Sequence, residues 1–443
     1  VILKPYRRTP PRREVAIVGD DRLVTLESGR RVALHDVDRR TRIYADRDMV
    51  RAAFLHRGDG AAYAWNETPV RWLADDREVI LIGSYPGTGD DFLAGLAGLR
   101  DFLASRGAGI GSMSASSWSL LRATLDDDVV CYSGPERPRI GEVVGGRQES
   151  FVDPGHVGAF ESWDLSAAYA SALGSLVYPG TRWIAWTGPI PDDLPAFVHA
   201  RIRTPNGVLP PVPRRHRSPD ANAIARRFAE REYPRDVTGT WTAQEVAAAT
   251  AAGCTVDVRK VRVMLGYPLT PFAPWWDAIR EARQLPGMAG GLAKVAGNAL
   301  WGRLAMHGDR VLVRYVDGRP VSEPAPMFGV PYAEQPLDIA ETITGRIRAR
   351  LYAELMVPNH DRLIGVHTDG GLTTPGAKLD ERDGWRCKAR GTELVYLGPQ
   401  VYRYRSAAGR ITHVVSGVRP EYEAQVFTAL AGYVLHLPTI GAA

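Results

Sequence analysis

At 443 residues, 45% of them hydrophobic and 24% charged, the chain carries enough apolar side chain for a large core and roughly two to four domains, which excludes a disordered or collagen-like polypeptide. A net charge of +5 tilts it modestly toward polyanions, although a chain rich in Arg, Ala, Gly and Pro and poor in Lys owes part of that basicity to GC-rich codons. Cys131, Cys254 and Cys387 lie far apart without C-x-x-C or histidine spacing, and neither a membrane-length apolar run nor a signal peptide is present, so a soluble cytoplasmic protein without disulfides or zinc is expected.

In chain order, residues 1–115 alternate β-like runs (REVAIVG, RLVTLES, RRVALHD, REVILIG) with the helical DDFLAGLAGLRDFLASRG, which predicts a small α/β domain. A helix is expected over 112–128, then a Gly/Pro/Arg loop through Val143. Residues 151–200 read as a strand (ESWDLS), a helix (SAAYASALGSL) and strands around RWIAW and AFVHARIR. The Pro/Arg-rich stretch 210–236 reads as a surface loop, with the arginines of RRHR as candidates for phosphate contact. Thr242 and Glu245 form a capping box at the head of AQEVAAATAAG, and TVDVRKVRVML follows as a strand. A helix from about Pro274 to Gln284 leads into GGLAKVAGNALWG. RVLVRYVDGRPVSE is a hairpin turning at Asp317-Gly318, LDIAETITGRIRARLYAELM a long amphipathic helix, and RLIGVHTDGGLTT a hairpin turning at Gly370-Gly371. The remainder is strand-rich and closes with the helix YEAQVFTALAGYVL.

Three residues stand out chemically. Lys294 is one of only five lysines in an arginine-rich chain, and its compact ammonium suits phosphate. Helical spacing puts it on one face with Asn298 and Trp301, while Gly297 and Ala299 leave backbone open to something flat. Asp164 and Asp369 each sit where a strand ends in small residues, which keeps the carboxylates accessible. In SWDLSAAYASAL the helix behind Asp164 offers free backbone N–H groups to a triphosphate. Two hard carboxylates are the minimum for phosphoryl transfer with two Mg²⁺ ions about 3.5–4 Å apart.

In this order the motifs resemble those of the family B DNA polymerases, especially the protein-primed phage and plasmid branch. The family's D-x-x-S-L-Y-P-S is similar to Asp164-Leu165-Ser166-Ala167-Ala168-Tyr169-Ala170-Ser171, its K-x-x-x-N-S-x-Y-G to the run from Lys294 through Asn298 and Trp301 to Gly302, and its Y-x-D-T-D-S to Gly365-Val366-His367-Thr368-Asp369-Gly370. Y-x-G-G resembles Val143-Val144-Gly145-Gly146, with Arg147 following, and K-x-Y resembles Gln400-Val401-Tyr402. The likeness spans about residues 140–420.

The resemblance implies an α+β right hand: an exonuclease-like N-terminal α/β domain (1–115), a linker with the template-contacting glycines (116–150), palm (151–270), fingers (271–310), palm again with a hairpin insertion (311–405), and a thumb or truncated C-terminal part (406–443). It implies a DNA-directed DNA polymerase that uses two Mg²⁺, with Mn²⁺ as a substitute. Its partners would be primed DNA, dNTPs and a terminal protein or other replication proteins, with no membrane; a monomer in the cytoplasm of a phage's bacterial host is expected. By the same resemblance Asp164, Asp369 and the Leu165 carbonyl are metal ligands, and Lys294 neutralises the triphosphate. Tyr169 stacks under the sugar, with Ser166 beside it. Asn298 and Trp301 border the nascent pair, and Arg283 reaches the outer phosphates. Gly145, Gly146 and Arg147 meet the template, and Gln400 and Tyr402 the primer end.

The departures are specific. His367 replaces the family's first aspartate of the third motif and is expected to be partly cationic; Gln400 replaces a lysine, and three alanines enter the first motif. Asp76-Arg77-Glu78 has the letters of a proofreading Asp-x-Glu but precedes its strand, so the N-terminal domain is expected to lack hydrolytic activity. The alternatives are a catalytically silent polymerase-like scaffold that binds DNA in a replication complex, and a primase-like enzyme that starts chains itself.

Overall fold

The computed structural model describes residues 2–3, 13–47, 50, 54, 61–82, 90–130, 138–214, 232–304, 311–324, 337–415 and 420–434, less residues 20, 22, 66–67, 75–76, 127–128, 139, 141–144, 181, 192–193 and 317–318. The chain divides into two units. One comprises Val1–Ser133, Leu173–Leu176 and Thr270–Pro336; the other comprises Gly134–Ala172, Val177–Leu269 and Leu337–Ala443. No described helix is long and apolar enough to cross a membrane.

In the first unit, β-branched alternation builds a nine-stranded sheet that includes the predicted strands Val15–Val18, Leu23–Leu26, Arg31–Ala33 and Arg77–Ile82. Among the described residues of this sheet, only the joins of Arg42–Asp46 to Val15–Val18 and to Arg77–Ile82 are parallel. Its core gathers Ala16, Val24, Ile43, Trp72 and Val79, with Phe54 stacked on Trp72 at 4.9 Å. Glu78 lies inside its strand, opposite Leu73 and ion-paired with Arg71, which corrects the expectation that the Asp-x-Glu letters precede the strand; Asp76 is outside the described residues. The hairpin Val311–Val316 and Arg319–Pro324 forms as predicted. It extends this same sheet by pairing with Ala61–Trp65, and its turn residues Asp317 and Gly318 are outside the described residues.

The helices Asp90–Ser105, Met113–Thr124, Ala273–Ala282 and Met288–Leu304 pack together in this unit. Close approach is bought with missing side chains. A Cβ on Gly95 would stand 2.7 Å from the Met288 Cβ, and one on Gly174 would stand 2.3 Å from the Trp276 Cβ. Trp275, fully buried, donates its indole N–H to Ser117 at 3.2 Å.

The second unit holds two antiparallel sheets. The larger runs Arg147–Ser150, Leu363–Thr368, Gly370–Thr373, Phe160–Leu165, Trp385–Gly398, Val401–Ser406 and Ile411–Val415, with Gly155–His156 added beside Trp385–Gly398. Phe160, Ile364, Leu372, Leu394 and Tyr396 form its core. The smaller orders Arg182–Trp186, Thr255–Leu265, Ala196–Arg203 and Asp236–Thr242, with Val198, Ile202, Trp241 and Val246 buried beneath it.

The capping box is present. Thr242 Oγ1 accepts from the Glu245 N–H, and Glu245 accepts from the Thr242 N–H, opening the helix Ala243–Ala251. The helix Leu337–Arg350 differs from expectation, because it is buried nearly all round instead of amphipathic. Its polar side chains are therefore satisfied internally: Asp338 accepts from the Tyr178 hydroxyl at 2.8 Å, and Arg348 is held by Glu245, Glu341 and the Gly145 carbonyl. A π-helical turn, Leu351–Met356, continues it.

Candidate active site

The fold brings the strand that carries Asp164 beside the hairpin whose turn carries Asp369. Phe160–Leu165 pairs antiparallel with Gly370–Thr373, Asp164 lies directly opposite Gly370, and the Leu165 N–H donates to the Asp369 carbonyl at 2.9 Å. The hairpin carrying Asp369 turns on Thr368-Asp369, not on Gly370-Gly371, because both glycines are needed inside the second strand. A Cβ on Gly370 would meet the Trp163 carbonyl at 2.3 Å and the Asp164 Cα at 3.1 Å, and one on Gly371 would meet the Gly365 carbonyl at 2.8 Å. Their absence of side chain lets the Asp369 hairpin close against the Asp164 strand.

The backbone around these positions is strained. Among the described residues three non-glycine side chains have positive φ: Ala167 (52°), Thr368 (54°) and Gln400 (60°). Each falls inside a motif singled out in the sequence. A β-branched residue such as Thr368 pays most for this conformation, and such outliers concentrate at functional positions. Thr368 also donates its hydroxyl to Asp369 Oδ1 at 2.7 Å, fixing that carboxylate.

Lys388 is the residue that sequence reasoning missed. Its ammonium sits 2.7 Å from Asp164 Oδ2, on the strand Trp385–Gly398 that flanks Asp164 on its other side. Ser162 pairs with Ala389 and Trp163 with Cys387, so Lys388 is the extra residue of a β-bulge, which re-aims its side chain. The alternating exposed Arg386, Lys388 and Arg390 were visible in the sequence, but the bulge was not.

His367 is neutral near pH 7, against the expectation of a partly cationic ring. Burial lowers its pKa to about 4, outweighing the Asp369 carboxylate, which raises it, while Lys388 lowers it further. Its Nδ1 is buried without a hydrogen-bond partner among the described residues, and its ring lies 6.4 Å from that of Tyr402. Burial pushes the Tyr402 phenol up to about 12 against the pull of its hydrogen bond with Ser162, so Tyr402 is a fixed neutral group near the Asp164 strand. Burial and then the Asp369 carboxylate likewise push the Tyr169 phenol above its usual range.

The remaining predicted residues of this unit divide plainly. Gly146 is tight for an internal reason, since a Cβ there would meet the Thr368 Cα at 2.6 Å and the Tyr169 hydroxyl at 2.7 Å. Gly145 has open space around it, and its carbonyl accepts from Arg348. Arg147, expected at the template, is 1% exposed; it is engaged by Glu149 and the Pro210 carbonyl and lies 3.8 Å above the Tyr233 ring. It is an internal strut. Leu165 has a buried side chain, which leaves its backbone as its contribution, and Ser166 is exposed. The helix behind Asp164, Ala168–Gly174, has seven residues and is too short to supply the expected N-terminal anion site. Of the RRHR arginines, Arg214 pairs with Glu232 at 3.0 Å; Arg215 and Arg217 are outside the described residues.

In the first unit, Lys294 and Asn298 share the exposed face of the helix Met288–Leu304, with Trp301 partly buried. Gly297 is buried in the helix packing and so does not leave open backbone, which corrects the sequence reading. Arg283 caps the preceding helix and is partly exposed.

No three His, Cys, Asp or Glu side chains gather as a metal cluster among the described residues. The carboxylates of Asp164, on its strand, and Asp369, at the turn of the paired hairpin, are of the hard type that Mg²⁺ prefers, and Asp164 already holds one cation in the form of the Lys388 ammonium. The donor set fits a divalent ion on these terms.

No protein-family model and no curated protein matches the chain. Among solved structures it is similar to Phi29 DNA polymerase complexed with primer-template DNA in a post-translocation binary complex, at 11% identity and TM-score 0.58, covering 93% of this chain and 94% of that one. It is similar to Phi29 DNA polymerase complexed with single-stranded DNA at 12% identity and TM-score 0.58 over the same shares. Against the ternary complex with incoming nucleotides the match reaches 63% of this chain and 55% of that one, at 14% identity and a TM-score of 0.46. At such identities the first two likenesses speak of architecture alone, and the chain has a fold like that of Phi29 DNA polymerase.

Proposed function

We propose that this protein is a DNA-directed DNA polymerase that adds deoxynucleotides to a primer 3′-hydroxyl and does not proofread. The observation that carries the reading is the pairing of the Asp164 strand with the Asp369 hairpin, locked by the Leu165 N–H to Asp369 carbonyl bond. Two divalent ions, when bound, supply activation of the attacking hydroxyl and stabilisation of the leaving pyrophosphate. Asp164, Asp369 and the Leu165 carbonyl hold them. Thr368 orients the Asp369 carboxylate by donating to its Oδ1. Lys294 neutralises the incoming triphosphate, Arg283 its outer phosphates, and Asn298 and Trp301 border the new base pair. Tyr169, with Ser166 beside it, packs under the sugar, and Tyr402 and Gln400 steady the primer end. Gly145 and Gly146 lie along the template.

Primer extension on a defined template with Mg²⁺ or Mn²⁺ tests this. Extension by the wild type, its loss in Asp369→Asn, and no shortening of a labelled 3′ end without dNTPs are expected. A wild type that extends no primer with either metal overturns the reading. A silent DNA-binding scaffold is the second reading, favoured by the ion pair that occupies Asp164 and by the histidine at position 367. It is supported if primed DNA binds while neither protein extends it. Product formed without any primer would identify a primase instead.

A further inference from the structure

We infer that Lys388 is a resident cation that a divalent ion must displace from Asp164, so that metal entry and lysine release are one event. The inference rests on the two-carboxylate metal reading above and adds a residue to which that reading gave no role.

Three observations carry it. The Lys388 ammonium lies 2.7 Å from Asp164 Oδ2, the distance of a direct charge-assisted hydrogen bond, so a cation taking that oxygen competes with it. The bulge at Lys388 is a local break in an otherwise regular pairing with the Asp164 strand, and such breaks re-aim side chains beside sites. The two partners also differ in freedom: the Asp164 side chain is 16% exposed while that of Lys388 is 54% exposed. The lysine can therefore swing into water on its flexible stem while the carboxylate stays, and no proton needs to move. Until then Lys388 offsets charge on the Asp164 carboxylate. Arg390 on the same strand pairs with a different carboxylate, Glu161, at 3.1 Å.

Mn²⁺ binding to the full chain, read by electron paramagnetic resonance of the free ion, tests the competition without reference to catalysis. Lys388→Met keeps the apolar stem and removes the charge. Its Mn²⁺ dissociation constant is expected to fall at least tenfold relative to wild type, at unchanged Tm. In the wild type, acetylation of Lys388 by a water-soluble acylating reagent, mapped by mass spectrometry, is expected to accelerate as Mg²⁺ is added, and Asp164→Asn is expected to abolish that dependence. Equal Mn²⁺ affinity in wild type and Lys388→Met overturns the inference and leaves the metal reading standing. No Mn²⁺ binding in either protein overturns both.

Discussion

The sheet that carries the aspartates and the helix that carries Lys294 are both glycine-rich, and their glycines answer to different neighbours. In the sheet, Gly370 and Gly371 let two strand backbones close on each other, so the chemistry of Asp164 and Asp369 is set by protein atoms already in place: Lys388, Thr368 and the Leu165 amide. On the helix, Gly290 sits where a Cβ would meet the Arg283 and Leu285 carbonyls at 2.8 and 2.7 Å, and Gly297 is buried, while Lys294 and Asn298 face solvent. The carboxylates are held by surrounding protein atoms, and Lys294 stands in solvent. Substitutions should therefore behave differently in the two places: those in the sheet disturb a built arrangement, and those on the helix face leave the fold alone.

The largest contrast is in Asp369→Asn, which keeps shape and removes charge. Primer extension is expected to fall at least about 10³-fold, roughly 4 kcal/mol of transition-state stabilisation, with Tm within a few degrees of wild type. Next comes Gly370→Ala. The new methyl meets backbone at Trp163, which no rotamer change relieves, so a stability loss of about 3 kcal/mol in denaturant unfolding is expected. Lys294→Ala follows, with a loss of about 10²-fold in kcat/KM for dNTP, about 2.7 kcal/mol, and no change in stability. A Lys294→Ala protein that unfolds at lower denaturant would dissolve the contrast between the two regions.

How far the sequence spoke follows from the same physics. The strands of the Asp164 motif, the Asp369 hairpin and the Thr242–Glu245 cap were legible because alternation, strand-end aspartates and S/T-x-x-E are local patterns. The site of the turn was misread, since Gly-Gly signals a turn locally and only the partner strand reveals that the glycines face Asp164. Lys388 was invisible because a bulge is a property of two strands in register. Arg147 and the helix Leu337–Arg350 were misjudged because charged letters look solvated until their ion-pair partners, Glu149 for one and the buried Glu245 and Glu341 for the other, are in view.

His367 sharpens the point in the sheet through pH. Its folded pKa, about 4, lies below the ordinary histidine value of 6.5, so the unfolded chain takes up the proton first. Its contribution is fully present above about pH 6.5 and is lost as pH falls toward about 4, a loss of about 2 kcal/mol after allowing for partial exposure. His367→Asn is expected to flatten that limb of the stability profile measured by urea unfolding between pH 7 and 4. An unchanged slope would mean that the ring is solvated and that the sheet does not dictate its charge.

The smallest effect is expected at Gln400, where the sheet imposes conformation but not charge. Its φ of 60° costs the unbranched lysine about what it costs glutamine, so Gln400→Lys alters charge at constant backbone strain, whereas Gln400→Gly relieves the strain and adds no charge. If the turn meets a primer phosphate, Gln400→Lys should steepen the dependence of log K for primed DNA on log salt by about 0.7–0.9, with affinity rising only a few-fold at physiological salt. Gln400→Gly should leave that slope alone and stabilise the fold by up to about 1 kcal/mol. Fluorescence anisotropy across a salt series separates the two variants. A parallel slope for Gln400→Lys and wild type would remove Gln400 from the nucleic-acid path and leave its strained backbone as a feature of the turn alone.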